Sequence, residues 1–216
     1  AHTGDKETAR ELAKQNIETF ETLDVDYIVV NAAGCGAMLK EYDHLLRDDD
    51  VWHERALDFV RKVCDLTELM AELRHQDEPE QLEQLPDKRM HELGLKWWPE
   101  GITYQDACHL AHGQGGREEP RKLLRQLPVE VVPLPDADDC CGSAGIYNIV
   151  QYEMSMKVLD RKMESIKKTG ADTVVMTNPG CHLQLEHGIE RHGLTDSVQV
   201  VHIADLLEAF DEAAGK

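Results

Sequence analysis

Two adjacent cysteines stand in a stretch of small and acidic residues, Asp138-Asp139-Cys140-Cys141-Gly142-Ser143-Ala144-Gly145. Neighbours this small bring backbone N–H groups close to both sulfurs, which suits a bound group whose anionic sulfurs need donors. Three more cysteines have similar contexts: Gly34-Cys35, Ala107-Cys108-His109 and Gly180-Cys181-His182. We expect Cys108, Cys140, Cys141 and Cys181 to converge on one iron–sulfur cluster, with Cys35 as a metal ligand of a second, incomplete site. Four thiolates suffice for a [4Fe–4S] cluster, and they suit zinc as well. The long gaps between these cysteines rule out a zinc-finger or bacterial ferredoxin loop, so folded strands must bring the sulfurs together.

The elements that could do this follow from periodicity. Residues 5–23 have an amphipathic helical spacing, 26–30 read as a short buried strand, and 37–46 return to helix. Residues 51–73 read as one long amphipathic helix, with Cys64 on its apolar face as a core thiol. Residues 75–96 turn polar and irregular, with Pro79, Pro86 and room for a short helix. Strands are then expected at 102–105, 129–134, 173–177 and 198–203, and helices at 117–127, 152–169 and 204–213. Four of the expected strands each lead into a cysteine. In a parallel α/β sheet, ligands gather beyond the carboxyl ends of strands. The expected fold is therefore α/β, with parallel sheets flanked by helices.

The chain also repeats itself at an offset of 146 residues, which places Cys35 on Cys181, Gly34 on Gly180, and residues 26–30 on 172–176. The second copy is preceded by Cys140-Cys141-Gly142; the first has no such triplet before it. Since residue 1 is Ala, the sequence reads as a piece of a longer chain that enters its first unit part-way. The domain expectation is the later half of a first unit plus a connecting helix at 1–74, a linker at 75–100, and a complete second unit at 101–216.

Composition narrows the function. The 216 residues are enough for real cores. A net charge of −19 argues against nucleic acid, which needs a basic face, and favours a partner with one. No apolar run approaches a membrane span. Six cysteines in Gly-rich contexts point to metal ligation in a reducing compartment, the cytoplasm or the inner face of its membrane. No Ser-His-Asp or paired-carboxylate arrangement stands out. Gly113-Gln114-Gly115-Gly116 lacks the Lys-Ser of a phosphate loop. His109, His112 and His182 could donate to cluster sulfurs or simply pack. Asp138 and Asp139 read as a solvated loop, and Trp97-Trp98 as packing for the interdomain seam.

The pattern Cys108 … Cys140-Cys141-Gly142 … Gly180-Cys181 resembles the cysteine-rich CCG module of the heterodisulfide reductases and their relatives. Three segments resemble, more closely, the iron–sulfur subunit of glycolate oxidase: residues 31–38, 104–115 and 140–148. The resemblance implies two CCG units, the first incomplete, a [4Fe–4S] cluster, and electron transfer in a glycolate oxidase complex. It implies FAD only on partner subunits that oxidise glycolate to glyoxylate, and leaves room for peripheral association with a respiratory chain through them. A lactate-utilisation complex is the alternative of the same class; a docking scaffold with a zinc or empty site is that of another class. The C-x-x-C ending of the heterodisulfide reductase module is absent, since His182-Leu183-Gln184 follows Cys181 and Gly36-Ala37-Met38 follows Cys35.

Overall fold

The computed structural model describes residues 4–74 and 85–215. Its first part runs α1 (Lys6–Glu21), β1 (Ile28–Val30), α2 (Ala33–Lys40), α3 (Tyr42–Leu45), α4 (Asp50–Lys62), β2 (Val63–Asp65) and α5 (Leu66–Leu73). Strands β1 and β2 lie parallel, with Val29 opposite Cys64. Asp5 caps α1 by accepting from the Thr8 N–H at 3.1 Å. That satisfies one of the donors a helix start leaves unpaired. Ala13, Ile17, Ile28, Phe59 and Val63 form the core of this part.

The long helix expected over 51–73 is two helices with a strand between them. Val63 takes an extended conformation. Asp65 then starts α5 with a capping box: its carboxylate accepts from the Thr67 N–H at 2.9 Å, and Glu68 accepts from the Asp65 N–H at 2.8 Å. This Asp-x-x-Glu start signal lay inside an apparently continuous helical pattern. Cys64 is accordingly half-buried on a strand, not on the apolar face of a helix. Burial pushes its thiol up. Of the expected linker, residues 75–84 with Pro79 lie outside the described residues. Beyond them comes a short helix, α6 (Asp87–Glu92).

The second part runs β3 (Gly101–Tyr104), a π-helical turn (His109–Gln114), α7 (Glu118–Leu124), β4 (Glu130–Val131), α8 (Tyr147–Val150), α9 (Tyr152–Thr169), β5 (Thr173–Met176), α10 (Pro179–Arg191), β6 (Gln199–His202) and α11 (Ile203–Ala213). All pairings in its sheet are parallel, in the order β4-β3-β5-β6. Side chains alternate between two cores. Ile102, Tyr104, Val175 and Val201 face one that α11 closes; Val174, Met176 and Val200 face one that α9 and α10 close. Burial on both faces explains why these strands read as continuous apolar runs. Trp98 packs on Phe210 of α11, ring centroids 4.7 Å apart. Among the described residues, no helix is long and apolar enough to cross a membrane.

The repeat carries into the elements. Helices α1 and α9 start at Lys6 and Tyr152, and α2 and α10 at Ala33 and Pro179, both 146 residues apart. Each pair brackets a short parallel strand, β1 or β5.

Candidate metal centre

Every sequence-predicted cysteine stands at the start of a helical turn or in a tight loop. Cys35 and Cys181 each occupy the third position of their helices, α2 and α10. Cys108 directly precedes the π-helical turn, a rare form found often at functional sites. Cys140 and Cys141 enter a loop that Gly142 turns with φ +94°. A Cβ on Gly142 would stand 2.7 Å from the Ser155 carbonyl oxygen, so only glycine fits this turn.

One cavity of about 540 Å³ gathers Cys35, Cys108, Cys140, Cys141 and Cys181, with His109 and Asn178 in its wall. All five thiols are free. Cys141 and Cys181 are buried, Cys108 and Cys140 half-buried, and Cys35 exposed. The structure thus brings the four expected sulfurs together. It sets Cys35 on the rim of the same cavity, where the sequence suggested a separate site.

The four inner thiols form a line of contacts: Cys108 to Cys140, Cys140 to Cys141, Cys141 to Cys181. A proton shared between sulfurs favours the thiolate at one and the thiol at the other. Cys140, accepting from Cys108 and Cys141, is held well below the usual thiol range. Cys181, accepting from Cys141, is also pulled down. Cys108 and Cys141, the donors of the line, are pushed up by those same contacts and by burial.

Each sulfur also has its own N–H donor. The backbone N–H of Gly142 reaches Cys140 Sγ at 3.3 Å, and Asn178 Nδ2 reaches Cys181 Sγ at 3.4 Å. The backbone N–H groups of His109 and Ser143 donate to Cys108 and Cys141. Among the described residues, no three His, Cys, Asp or Glu side chains are disposed to hold a metal ion as they stand. The donor set nevertheless fits a cluster: four free thiols, four N–H donors aimed at sulfur, and a cavity beside them.

Polar residues that the sequence did not single out hold this arrangement. Ser155 donates to the Gly142 carbonyl at 2.8 Å, Gln184 donates to Ser155 at 3.0 Å, and Asn148 donates to Gln184 at 3.1 Å. Gln105 donates to the carbonyls of Asp106 and Asp139. Buried Asp106 receives both arms of Arg121 at 2.8 and 2.7 Å. The available signal was periodicity: Ser155 and Lys162 fall on the apolar stripe of α9 with Leu159 and Ile166.

The two Gly-Cys loops also bind each other. The Ala33 N–H donates to the Thr177 carbonyl at 3.3 Å, and the Gly34 N–H to Asn178 Oδ1 at 3.2 Å. In the repeat, the mirror of the first bond would run from residue 179 to the Asn31 carbonyl. Residue 179 is proline and has no N–H. His202 Nε2 fills the gap, donating to Asn31 O at 2.9 Å, while its Nδ1 accepts from the Ala204 N–H. Asn178 therefore touches both units, accepting from the first and donating to Cys181.

Other candidates take ordinary roles. His112 contacts Arg117 and stands 4.0 Å from Asp138, outside the cavity wall. Asp138 pairs with Arg117, whose hydrogen bond lowers its carboxyl, and Asp139 pairs with Arg161. His182 faces Glu186 at 3.5 Å. Gly115 closes the π-helical turn at φ +76°.

Comparison with known proteins agrees with this geometry. The sequence model of a family described as a cysteine-rich domain, CCG, matches residues 1–40 and 102–186. The chain belongs to the CCG cysteine-rich domain family. The matched segments cover both Gly-Cys loops and the Cys-Cys-Gly turn, so the CCG signature and the cavity coincide. A relative from Bacillus subtilis (strain 168), named as a probable glycolate oxidase iron-sulfur subunit, is 50% identical over 99% of this chain and 45% of its own length. The chain thus spans less than half of that protein. Lactate utilization protein A of Geobacillus thermodenitrificans (strain NG80-2) is 32% identical over 92% of this chain and 76% of its own. Among solved structures, glutamate racemase RacE1 of Bacillus anthracis overlays at TM-score 0.39 and 11% identity, covering 99% of this chain and 64% of its own, a likeness too low to bear on fold or function.

Proposed function

We propose that Cys108, Cys140, Cys141 and Cys181 hold one [4Fe–4S] cluster, and that the chain is the electron-transferring part of a glycolate-oxidising complex. One observation carries this reading: four free sulfurs, each with its own N–H donor, line one cavity. The name of the half-identical B. subtilis relative supplies the class of reaction.

When bound, such a cluster stores and releases single electrons at a potential set by its surroundings. The chain's own part is to set those surroundings. The N–H groups of His109, Gly142 and Ser143 and the amide of Asn178 offset thiolate charge and orient the sulfurs. Burial of Cys141 and Cys181 keeps water from half of the site. The oxidation of the hydroxy acid belongs to an FAD-bearing partner, so no residue of this chain is assigned a catalytic role. Residues 1–74 are the later half of a first CCG unit plus a helical connection, 75–100 a linker, and 101–216 a complete second unit. The repeat and the two matched segments support that division.

A second reading, a lactate-utilising complex, is favoured by relatives of that name at 30% and 32% identity. The chain is purified with its flavoprotein partner, and the EPR signal of the reduced cluster is recorded after adding glycolate or lactate. Reduction by glycolate is expected. Reduction by lactate alone would replace the first reading with the second. One equivalent of zinc, no iron and no reduction by either acid would leave a docking scaffold.

A further inference from the structure

A buried cation, Lys162, stands behind Cys140. Lys162, in α9, is only 2% exposed. Its ammonium donates to the Asp136 carbonyl at 2.6 Å, four residues before Cys140. It lines a second cavity of about 240 Å³ with Asp136, Asp139, Arg161, Ser165 and Cys140. The two cavities share Cys140 and no other lining residue. A buried ammonium is costly unless its surroundings compensate it. Asp136 and Asp139 line the same cavity and bring opposite charge beside this amine.

The repeat provides an internal comparison. The residue 146 positions earlier is Asn16, a neutral amide that donates to Tyr42 Oη at 2.7 Å. At this point of the helix the second unit thus carries a cation where the first carries a neutral amide.

We propose that Lys162 is the positioning residue and resident counter-charge of the four-cysteine site. Its hydrogen bond fixes the turn from Asp136 to Cys140, and its charge offsets the negative charge of the thiolates and of the group they hold. The proposal rests on the reading that these cysteines bind a redox cluster. Reduction adds one electron to that group, taken from dithionite in the assay, and makes it one unit more negative. A fixed cation in a poorly screened interior stabilises the reduced form more than the oxidised one.

The test is anaerobic reconstitution of wild type, K162M, K162Q and K162R with iron and sulfide, followed by iron counting and an EPR-monitored dithionite titration. K162Q keeps a donor for the Asp136 carbonyl without the charge. In K162Q, which keeps a donor to the turn, the iron content should stay near wild type; in K162M, which loses it, the iron content should fall. At the wild-type midpoint, their reduced-to-oxidised ratio should fall about tenfold, a downward shift of about 59 mV for a one-electron couple. K162R should stay near wild type. Unchanged midpoints in both neutral variants would overturn the proposal, as would an equal shift in K162R, which marks a packing effect. Loss of fold in K162M with a wild-type midpoint in K162Q would assign Lys162 a structural role only. A wild type that takes up no iron would remove the cluster reading itself, a result distinct from all of these.

Discussion

At the scale of single residues, the four inner sulfurs and Cys35 differ in what surrounds them. Each inner sulfur accepts an N–H and touches a neighbouring sulfur, whereas Cys35 is exposed on the cavity rim. Replacing Cys181 with Ser should therefore remove most of the iron bound after reconstitution, and replacing Cys35 with Ser should leave it near wild type. Colorimetric iron assay of the two variants checks this; equal losses would place Cys35 among the ligands. Gly142 is the most constrained position of the turn. Gly142→Ala puts a methyl group into the Ser155 carbonyl at a φ that disfavours side chains. Strain of this kind costs about 1–3 kcal/mol. In a chain of this size that is a loss of about 2–12 °C in Tm. Calorimetry of the metal-free variant checks it, and a wild-type Tm would show that the loop relaxes freely. The cysteines and their Gly neighbours were legible from residue types alone. Asn178, Gln184 and Ser155 were not, because their work depends on partners distant in the chain.

At the scale of elements, the sequence reading succeeds where one period persists and fails where it changes inside a short span. Helix α9 covers the expected residues 152–169 because its stripe runs through five turns. Strand β2 was hidden because three residues are too few to show a period of two between helices. Helix α10 was also missed. Pro179, Gly180 and Gly188 suggest a loop, yet Pro179 suits a first helical turn. Gly188 lets α10 approach α9, since a Cβ there would meet Met163 Sδ at 2.7 Å. The same two helices are clamped at the surface by Asp160, which Arg191 and His192 contact at 2.9 and 2.8 Å. Those hydrogen bonds, Arg191 first, hold the Asp160 carboxyl down at about 2. A carboxyl depressed in the folded state adds stability above its unfolded value of about 3.9, and that stability is lost as pH falls through about 2. Exposed pairs contribute little, about 1 kcal/mol at most. Asp160→Asn should thus lower Tm by about 4 °C or less at pH 7 and by clearly less at pH 2, where the carboxyl is half protonated. A deficit undiminished at pH 2 in thermal melts would mean that packing, not the ion pair, is lost.

At the scale of the whole molecule, two related α/β units meet through their Gly-Cys loops. Because the contact crosses between copies of one motif, Cys35 and Cys181 come to one cavity from sites 146 residues apart. The repeat was legible in the sequence, and its offset sets the element starts. Its consequence was not, since no pattern within either unit states that the loops of both hydrogen-bond to each other. The central claim is that Cys108, Cys140, Cys141 and Cys181 act together on one cluster. Iron and sulfide content, with an EPR spectrum of the dithionite-reduced protein after anaerobic reconstitution, tests it most directly. Four irons and four sulfides per chain, with a signal that C140S and C181S each abolish, is the predicted result. An iron-free protein that stays EPR-silent after reduction would contradict it.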